Sequence, residues 1–217
     1  MMLTKTEHRF DAPINLDSSF SLLKTTVNQP TGNFFYDPWV IKPEFENTIL
    51  DRVLAALPRP VGEARLINLE PGTTYMAHAD IDDRWHYTIQ SQEGYLIDLS
   101  NKQMFLLETD GYWYEMDAGR IHVAANFGSI NRLQLVVRKL LINTPITSLV
   151  KVTISPNKEL YDFRYRFDNV ISPWLNFINK KGLMKDFMIK ENSVSFKVVE
   201  SELNTLNKNS DFKIVIE

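Results

Sequence analysis

Between residues 61 and 142 the chain is cut every ten residues or so by turn signals: Glu70-Pro71-Gly72, Asp82-Asp83, Ser100-Asn101, Asp110-Gly111 and Ala118-Gly119. Gly, Asp, Asn and Pro punctuate because they accept the special backbone angles of tight turns. The intervening segments are rich in Tyr, Trp, Ile, Val, Phe and Leu, which suit a pleated, half-buried surface. Asp110-Gly111, between Phe105-Leu106-Leu107 and Tyr112-Trp113-Tyr114, reads as a hairpin. Many short strands with no helical pattern between them restrict this zone to an antiparallel sandwich or barrel.

The flanks read differently. Residues 1–60 are expected to be mostly helical, a flank on the core. The clearest helix spans Lys42 to Leu57. Pro43 suits its first turn, and Phe45, Ile49, Val53 and Leu57 fall four apart, with Leu50 and Leu54 beside them. Pro58 and Pro60 end it. A shorter helix is expected across Ser18 to Val27. Residues 143–217 mix types, as a small α+β extension. Strands are expected near Leu149 to Ile154, Val194 to Val199 and Phe212 to Ile216, with helices at Asn169 to Lys180 and Ser201 to Leu206.

Composition removes several classes of function. The 217 residues include no cysteine, which excludes disulfides, thiolate zinc sites, iron–sulfur clusters and a cysteine nucleophile. A net charge of −3 offers no broad basic field, so nucleic acid is not an expected partner. The N-terminal stretch carries charge where a signal peptide needs an apolar run, and no stretch reaches the ~18 consecutive apolar residues of a membrane span. A cytoplasmic protein without membrane contact is the expectation.

The strand zone also holds three of the four histidines, His78, His86 and His122. His78 and Asp80 are two apart, so on a strand both side chains leave the same face. His122, on a later strand, supplies a third candidate ligand. Two imidazoles and one carboxylate on one face of an octahedron leave three positions open, the arrangement of non-haem iron(II) oxygenases. Ten residues past His122, alternation in Asn131-Arg132-Leu133-Gln134-Leu135-Val136-Val137 puts Arg132, Gln134 and Val136 on one face. A buried arginine needs an anion. A dicarboxylate cosubstrate supplies one, and the alternative is a structural ion pair at a strand end. Arg84 and His86 form another i, i+2 pair, facing either the pocket or, for Arg84, an exposed loop. Asn126 shares the His122 face. Asp82 and Asp83 read as turn formers. Tyr75, Trp85, Tyr87, Tyr112, Trp113 and Tyr114 are candidates for core or pocket wall.

The stretch from Arg65 to Arg138 resembles the aspartyl/asparaginyl β-hydroxylase-like family of iron(II)/2-oxoglutarate-dependent oxygenases. The resemblance lies in Leu69-Glu70-Pro71-Gly72, His78-x-Asp80, Arg84-x-His86, Gly111-x-Trp113, Asp117 ahead of His122, Asn126 and Asn131-Arg132-Leu133. It covers about a third of the chain. It implies a double-stranded β-helix, or jelly roll, with His78, Asp80 and His122 as iron ligands. It further implies that Arg132 and His86 bind 2-oxoglutarate with Arg84 as a helper, and that dioxygen is used to hydroxylate an amino acid or peptide side chain. A cupin-type metal enzyme that does not use 2-oxoglutarate, and a jelly-roll binding module with no activity, are the alternatives. Residues 143–217 lie outside the resemblance.

Overall fold

The computed structural model describes residues 1–12, 14, 16, 24–157, 163–206 and 211–217, the side chains of 24 and 163–165 excepted. In chain order the elements are β1 (Leu3–Arg9), β2 (Lys24–Thr26), β3 (Asn28–Pro30), β4 (Trp39–Ile41), a 3-10 turn (Pro43–Phe45), α1 (Ile49–Leu54), β5 (Ala64–Leu69), β6 (Thr73–Thr74), β7 (Arg84–Gln90), β8 (Gly94–Asp98), β9 (Gln103–Leu106), β10 (Tyr112–Met116), β11 (His122–Asn126) and β12 (Arg132–Arg138). There follow β13 (Val150–Pro156), α2 (Phe163–Val170), α3 (Ser172–Lys180), β14 (Met184–Lys190), β15 (Ser193–Val198), a 3-10 helix (Glu200–Thr205) and β16 (Phe212–Ile216). The protein is mainly β, with antiparallel sheets and few helices. A six-stranded sheet runs β1-β10-β7-β12-β5-β2, a four-stranded sheet β6-β11-β8-β9, and a second four-stranded sheet β14-β15-β13-β16; β3 and β4 form a ribbon.

The strand-rich zone forms antiparallel strands, with two departures: the segment holding His78 and Asp80 is not a regular strand, and one expected hairpin does not form. Asp110-Gly111 does not close a hairpin. β9 pairs with β8 in the four-stranded sheet, whereas β10 pairs with β1 and β7 in the six-stranded one. The turn therefore hands the chain from one sheet to the other. Gly111 takes φ 80, and its carbonyl accepts the Phe10 N–H, which ties the turn to the end of β1.

The flanks depart further. Residues 1–60 contain β1 to β4 beside the short helical pieces, so they are not mostly helical. β1 is a polar edge strand with little apolar alternation. Its place comes from pairing with β10 and from the Thr6 hydroxyl donating to the Trp113 carbonyl, neither of which is a local signal. The helix expected at Lys42 to Leu57 is broken. Asn47 takes φ 60, and its N–H is accepted by the Asp51 carboxylate at the start of α1. The apolar stripe still points inward, since Phe45, Leu50, Val53, Leu54 and Leu57 are all buried. Of the helix expected at Ser18 to Val27, residues 18–23 lie outside the described residues; Lys24 to Thr26 form β2, paired with β5. The helix expected at Asn169 to Lys180 begins earlier and is two, α2 and α3, with Pro173 in the first turn of α3. β14 was not foreseen. It bends at Asp186, whose φ of 55 accompanies a register shift against β15.

Alternation gives the six-stranded sheet two unlike faces. Leu66, Trp85, Tyr87, Trp113, Leu135 and Val137 pack on one side against Leu50, Val53, Leu54 and Leu57. Burying a side chain such as Leu135 stabilises the fold by about 1.5–3 kcal/mol. Arg65, Ile67, Arg84, His86, Arg132, Gln134 and Val136 occupy the other side, toward β8 and β11 of the four-stranded sheet. A separate apolar cluster unites α2 and α3 with β13, β14 and β15 and includes Ile81 and Leu141, which join it to the strand zone.

Candidate metal centre

The segment after β6 positions the first two candidate ligands. It is extended without being a regular strand. Tyr75 donates its N–H to the Ala124 carbonyl, and His78 and His122 exchange both backbone hydrogen bonds, at 3.1 and 2.8 Å. Asp80 N–H then donates to the Ala118 carbonyl at 2.8 Å. These bonds bring His78, Asp80 and His122 together, with their ligand atoms within 4.8 Å of one another. His78 Nε2 lies 3.8 Å and His122 Nε2 3.9 Å from Asp80 Oδ2. The three side chains could hold a metal ion.

The tautomers agree with that use. His78 Nδ1 lies 2.8 Å from the Met76 carbonyl, and His122 Nδ1 lies 2.8 Å from the Arg120 carbonyl. A carbonyl oxygen only accepts, so each Nδ1 carries the proton and each Nε2 presents a lone pair. Burial pushes the His122 pKa down to about 4, against the opposing pull of Asp80, which keeps the imidazole neutral. Burial raises the Asp80 pKa. The charges of Arg84, His78, His122 and Arg138 outweigh it and hold the carboxyl below its usual range. Arg84 Nη2 contacts Asp80 Oδ1 at 2.7 Å, leaving Oδ2 toward the histidines.

A cavity of about 540 Å³ opens from the triad between the two sheets. Arg132 lines it. Its guanidinium donates only to backbone carbonyls, of Tyr95 at 3.1 Å and Ala125 at 3.3 Å, and its Nε has no partner. Among the described residues no carboxylate pairs with it, and burial lowers its pKa to about 10. The structural ion pair is therefore not its explanation. Gly94 makes room for it: a Cβ there would sit 2.5 Å from Arg132 Cδ. His86, also on the wall, is 6% exposed, and neither ring nitrogen makes a hydrogen bond. Burial first, then the charges of Arg132, His122 and Arg84, lowers its pKa to about 3, against a weak pull from Gln134. Arg84 is buried rather than looped out. It is engaged by Asp80 and, at 3.4 Å, by Asp82, while its Nε and Nη1 stay unpaired.

Other candidates fall elsewhere. Asn126 is fully buried but staples a loop, donating to the Leu69 and Ile130 carbonyls and accepting from Gly128 N–H. Asp82 is no simple turn former. It takes a bidentate grip from Arg138, at 2.8 and 2.7 Å, and is 1% exposed. Asp83 accepts from Ala118 N–H and Asn176. Of the aromatics, Tyr75 lines the cavity, whereas Trp85, Tyr87 and Trp113 belong to the apolar face. Tyr112 lies under Lys5 and Arg9, and Tyr114 donates to Asp110. Arg65 also lines the cavity. It was missed as a site residue, although it alternates with Ala64 and Leu66 as Arg132 does with Leu133.

No protein-family model matches this sequence, and no curated protein is similar to it. Among solved structures it is similar to CapF, crystallised with the inhibitor 3-isopropenyl-tropolone, at 11% identity and a TM-score of 0.32. That alignment spans 46% of this chain and 39% of the other, and a likeness this slight carries no argument about fold or activity. Among the described residues no helix is long and apolar enough to cross a membrane.

Proposed function

We propose that this protein is an iron(II)- and 2-oxoglutarate-dependent oxygenase built on a jelly-roll core, hydroxylating an unactivated C–H bond of an amino acid or peptide side chain. The observation that carries the reading is Arg132. It is a buried guanidinium without an acidic partner among the described residues, in the same cavity as a triad of two histidines and a carboxylate. A metal site alone fits many chemistries. A metal site with an unpaired buried arginine calls for a ligand carrying a distal carboxylate.

His78 and His122 would hold iron through Nε2, and Asp80 through Oδ2. Bound iron and 2-oxoglutarate supply the oxidising chemistry, in which dioxygen is consumed, 2-oxoglutarate becomes succinate and carbon dioxide, and substrate gains a hydroxyl group. Arg84 keeps Asp80 ionised and turned, so that Oδ2 faces the two lone pairs. Arg132 receives the distal carboxylate of 2-oxoglutarate and so anchors the far end of the molecule. His86, neutral at ordinary pH, has a ring N–H to donate to the same cosubstrate. Leu96, Ala124 and Val136 close the cavity wall with apolar surface and limit water.

The test is spectroscopic. Anaerobic protein given iron(II) and 2-oxoglutarate is expected to develop a visible metal-to-ligand charge-transfer band, absent in His122→Ala. No band in the unsubstituted protein sinks the reading. Succinate release coupled to turnover separates it from a metal enzyme that needs no 2-oxoglutarate.

A further inference from the structure

A second cavity, about 460 Å³, lies against the triad and does not include Arg132, His86 or Gln134. It shares Arg65, His78, Asp80, Arg84 and Asp168 with the first cavity, so Asp80 stands where the two spaces meet. Its volume is that of a small-molecule site. One wall is apolar: Phe34, Phe35, Ile81 and Ile189. Much of the rest of the lining is ionic, and its cations are not equally occupied. Arg138 is spent on the bidentate pair with Asp82 and lies over the Phe34 and Phe35 rings, at 4.6 and 4.8 Å. Among the described residues Arg65 has an ion pair with Glu63 alone, at 3.6 Å, and its buried Nε lacks a hydrogen bond. Arg84, 5% exposed, has Nε and Nη1 unpaired.

The charge around this space depends on the metal. Among its described lining residues, Glu63, Asp80 and Asp82 balance Arg65, Arg84 and Arg138, and Asp168 has interactions of its own. A divalent cation on the triad adds two positive charges to that balance. Unpaired N–H donors beside an apolar wall then suit an amphipathic anion.

Resting on the reading above, we propose that this second cavity is the substrate site. It takes a small carboxylic acid with an apolar body, the carboxylate held by Arg65 with Arg84 and the body laid against Phe34, Phe35 and Ile189. The cosubstrate occupies the Arg132 side. Substrate and cosubstrate thus reach the metal from opposite sides of Asp80, and the carboxylate binds only once the cation is present.

The experiment is equilibrium binding by titration calorimetry. The protein is loaded with manganese(II), which does not turn over, and saturated with 2-oxoglutarate. The probes are 3-phenylpropanoate and 4-methylpentanoate, with their primary amides as controls. At least one acid is expected to bind and neither amide, and the binding is lost without manganese. Arg65→Gln is expected to weaken the acid at least tenfold, and more than it weakens 2-oxoglutarate. Arg65→Lys keeps the charge without the planar fork and falls between. Ile189→Trp, at an exposed position, is expected to fill the apolar end and abolish acid binding while sparing 2-oxoglutarate. Failure of both acids to bind, equal binding of the amides, or indifference to both Arg65→Gln and Ile189→Trp overturns the proposal. So does loss of 2-oxoglutarate rather than acid in Arg65→Gln. Loss of 2-oxoglutarate binding in the unsubstituted protein would instead remove the function itself, and the two failures are told apart by which ligand ceases to bind.

Discussion

The two faces of the six-stranded sheet are built from the same strands and do opposite things. On one, Trp85, Tyr87, Leu135 and Val137 are packed against α1. On the other, shifted by one residue, Arg84, His86 and Arg132 are buried around a space, with guanidinium and imidazole nitrogens left unpaired. Buried polar groups are normally satisfied, because an unpaired one costs about 1–3 kcal/mol. The contrast is between a face packed with apolar side chains and a face that buries charged and polar groups around a cavity.

That division is open to attack from both sides. The largest effect is expected from Asp80→Ala. It removes a ligand and strips Arg84 of its closest counter-charge, so metal affinity should fall by about 100-fold or more and the apoprotein should lose about 3–5 kcal/mol. Metal titration and urea unfolding measure both. Normal metal binding in this variant would separate the polar face from any metal role.

Next comes a paired comparison of neighbours on β12. Leu135→Ala empties the packed face and should cost about 2–5 kcal/mol with 2-oxoglutarate affinity unchanged. Arg132→Met removes an uncompensated buried charge. It should leave the apoprotein at least as stable and weaken 2-oxoglutarate by about 100-fold. If Arg132→Met destabilises as much as Leu135→Ala, the two faces are not distinct in kind.

The third test is pH. The His86 and His122 pKa values are lowered, mainly by burial, to about 3 and about 4. The unfolded chain takes up these protons near 6.5, so between the two values it binds more protons than the folded protein. Stability is therefore full above pH 6.5 and declines as pH falls toward 4, by at most about 1.4 kcal/mol per pH unit per histidine. Urea midpoints from pH 8 to 5 should show the slope, and His86→Leu should flatten it. An unchanged slope would deny His86 its neutral, buried state.

The finest probe is Gly94→Ala. The new methyl collides with the Arg132 stem, so 2-oxoglutarate affinity should drop by about tenfold with metal affinity intact. Unchanged affinity for the cosubstrate would mean that Arg132 has room to move without consequence.

How far this was legible in the sequence follows from which interactions are local. Turn residues and alternation disclosed the strand zone, and alternation on β12 correctly separated Arg132 and Gln134 from Leu133 and Leu135. The i, i+2 spacing of His78 and Asp80 brought both to one point, although their segment is not a regular strand. What was missed depends on partners far away in the chain. β1 exists because β10 lies beside it, and Asp110-Gly111 turns between sheets because Phe10 captures Gly111. Asp82 looked like a turn residue because Arg138 is remote in sequence. The break at Asn47 depends on one left-handed residue inside an otherwise sound helical period.

The backbone bridge between His78 and His122 carries a consequence for folding. Two ligands distant along the chain become neighbours only when the segment after β6 has closed onto β11. That contact has high sequence separation, and such contacts form late and slowly. An ion that needs all three side chains then has little to grip before the fold is complete. Its binding would act as a latch on the native state alone, adding about 2.7 kcal/mol when the free ion is a hundredfold above its Kd and slowing unfolding more than it speeds folding.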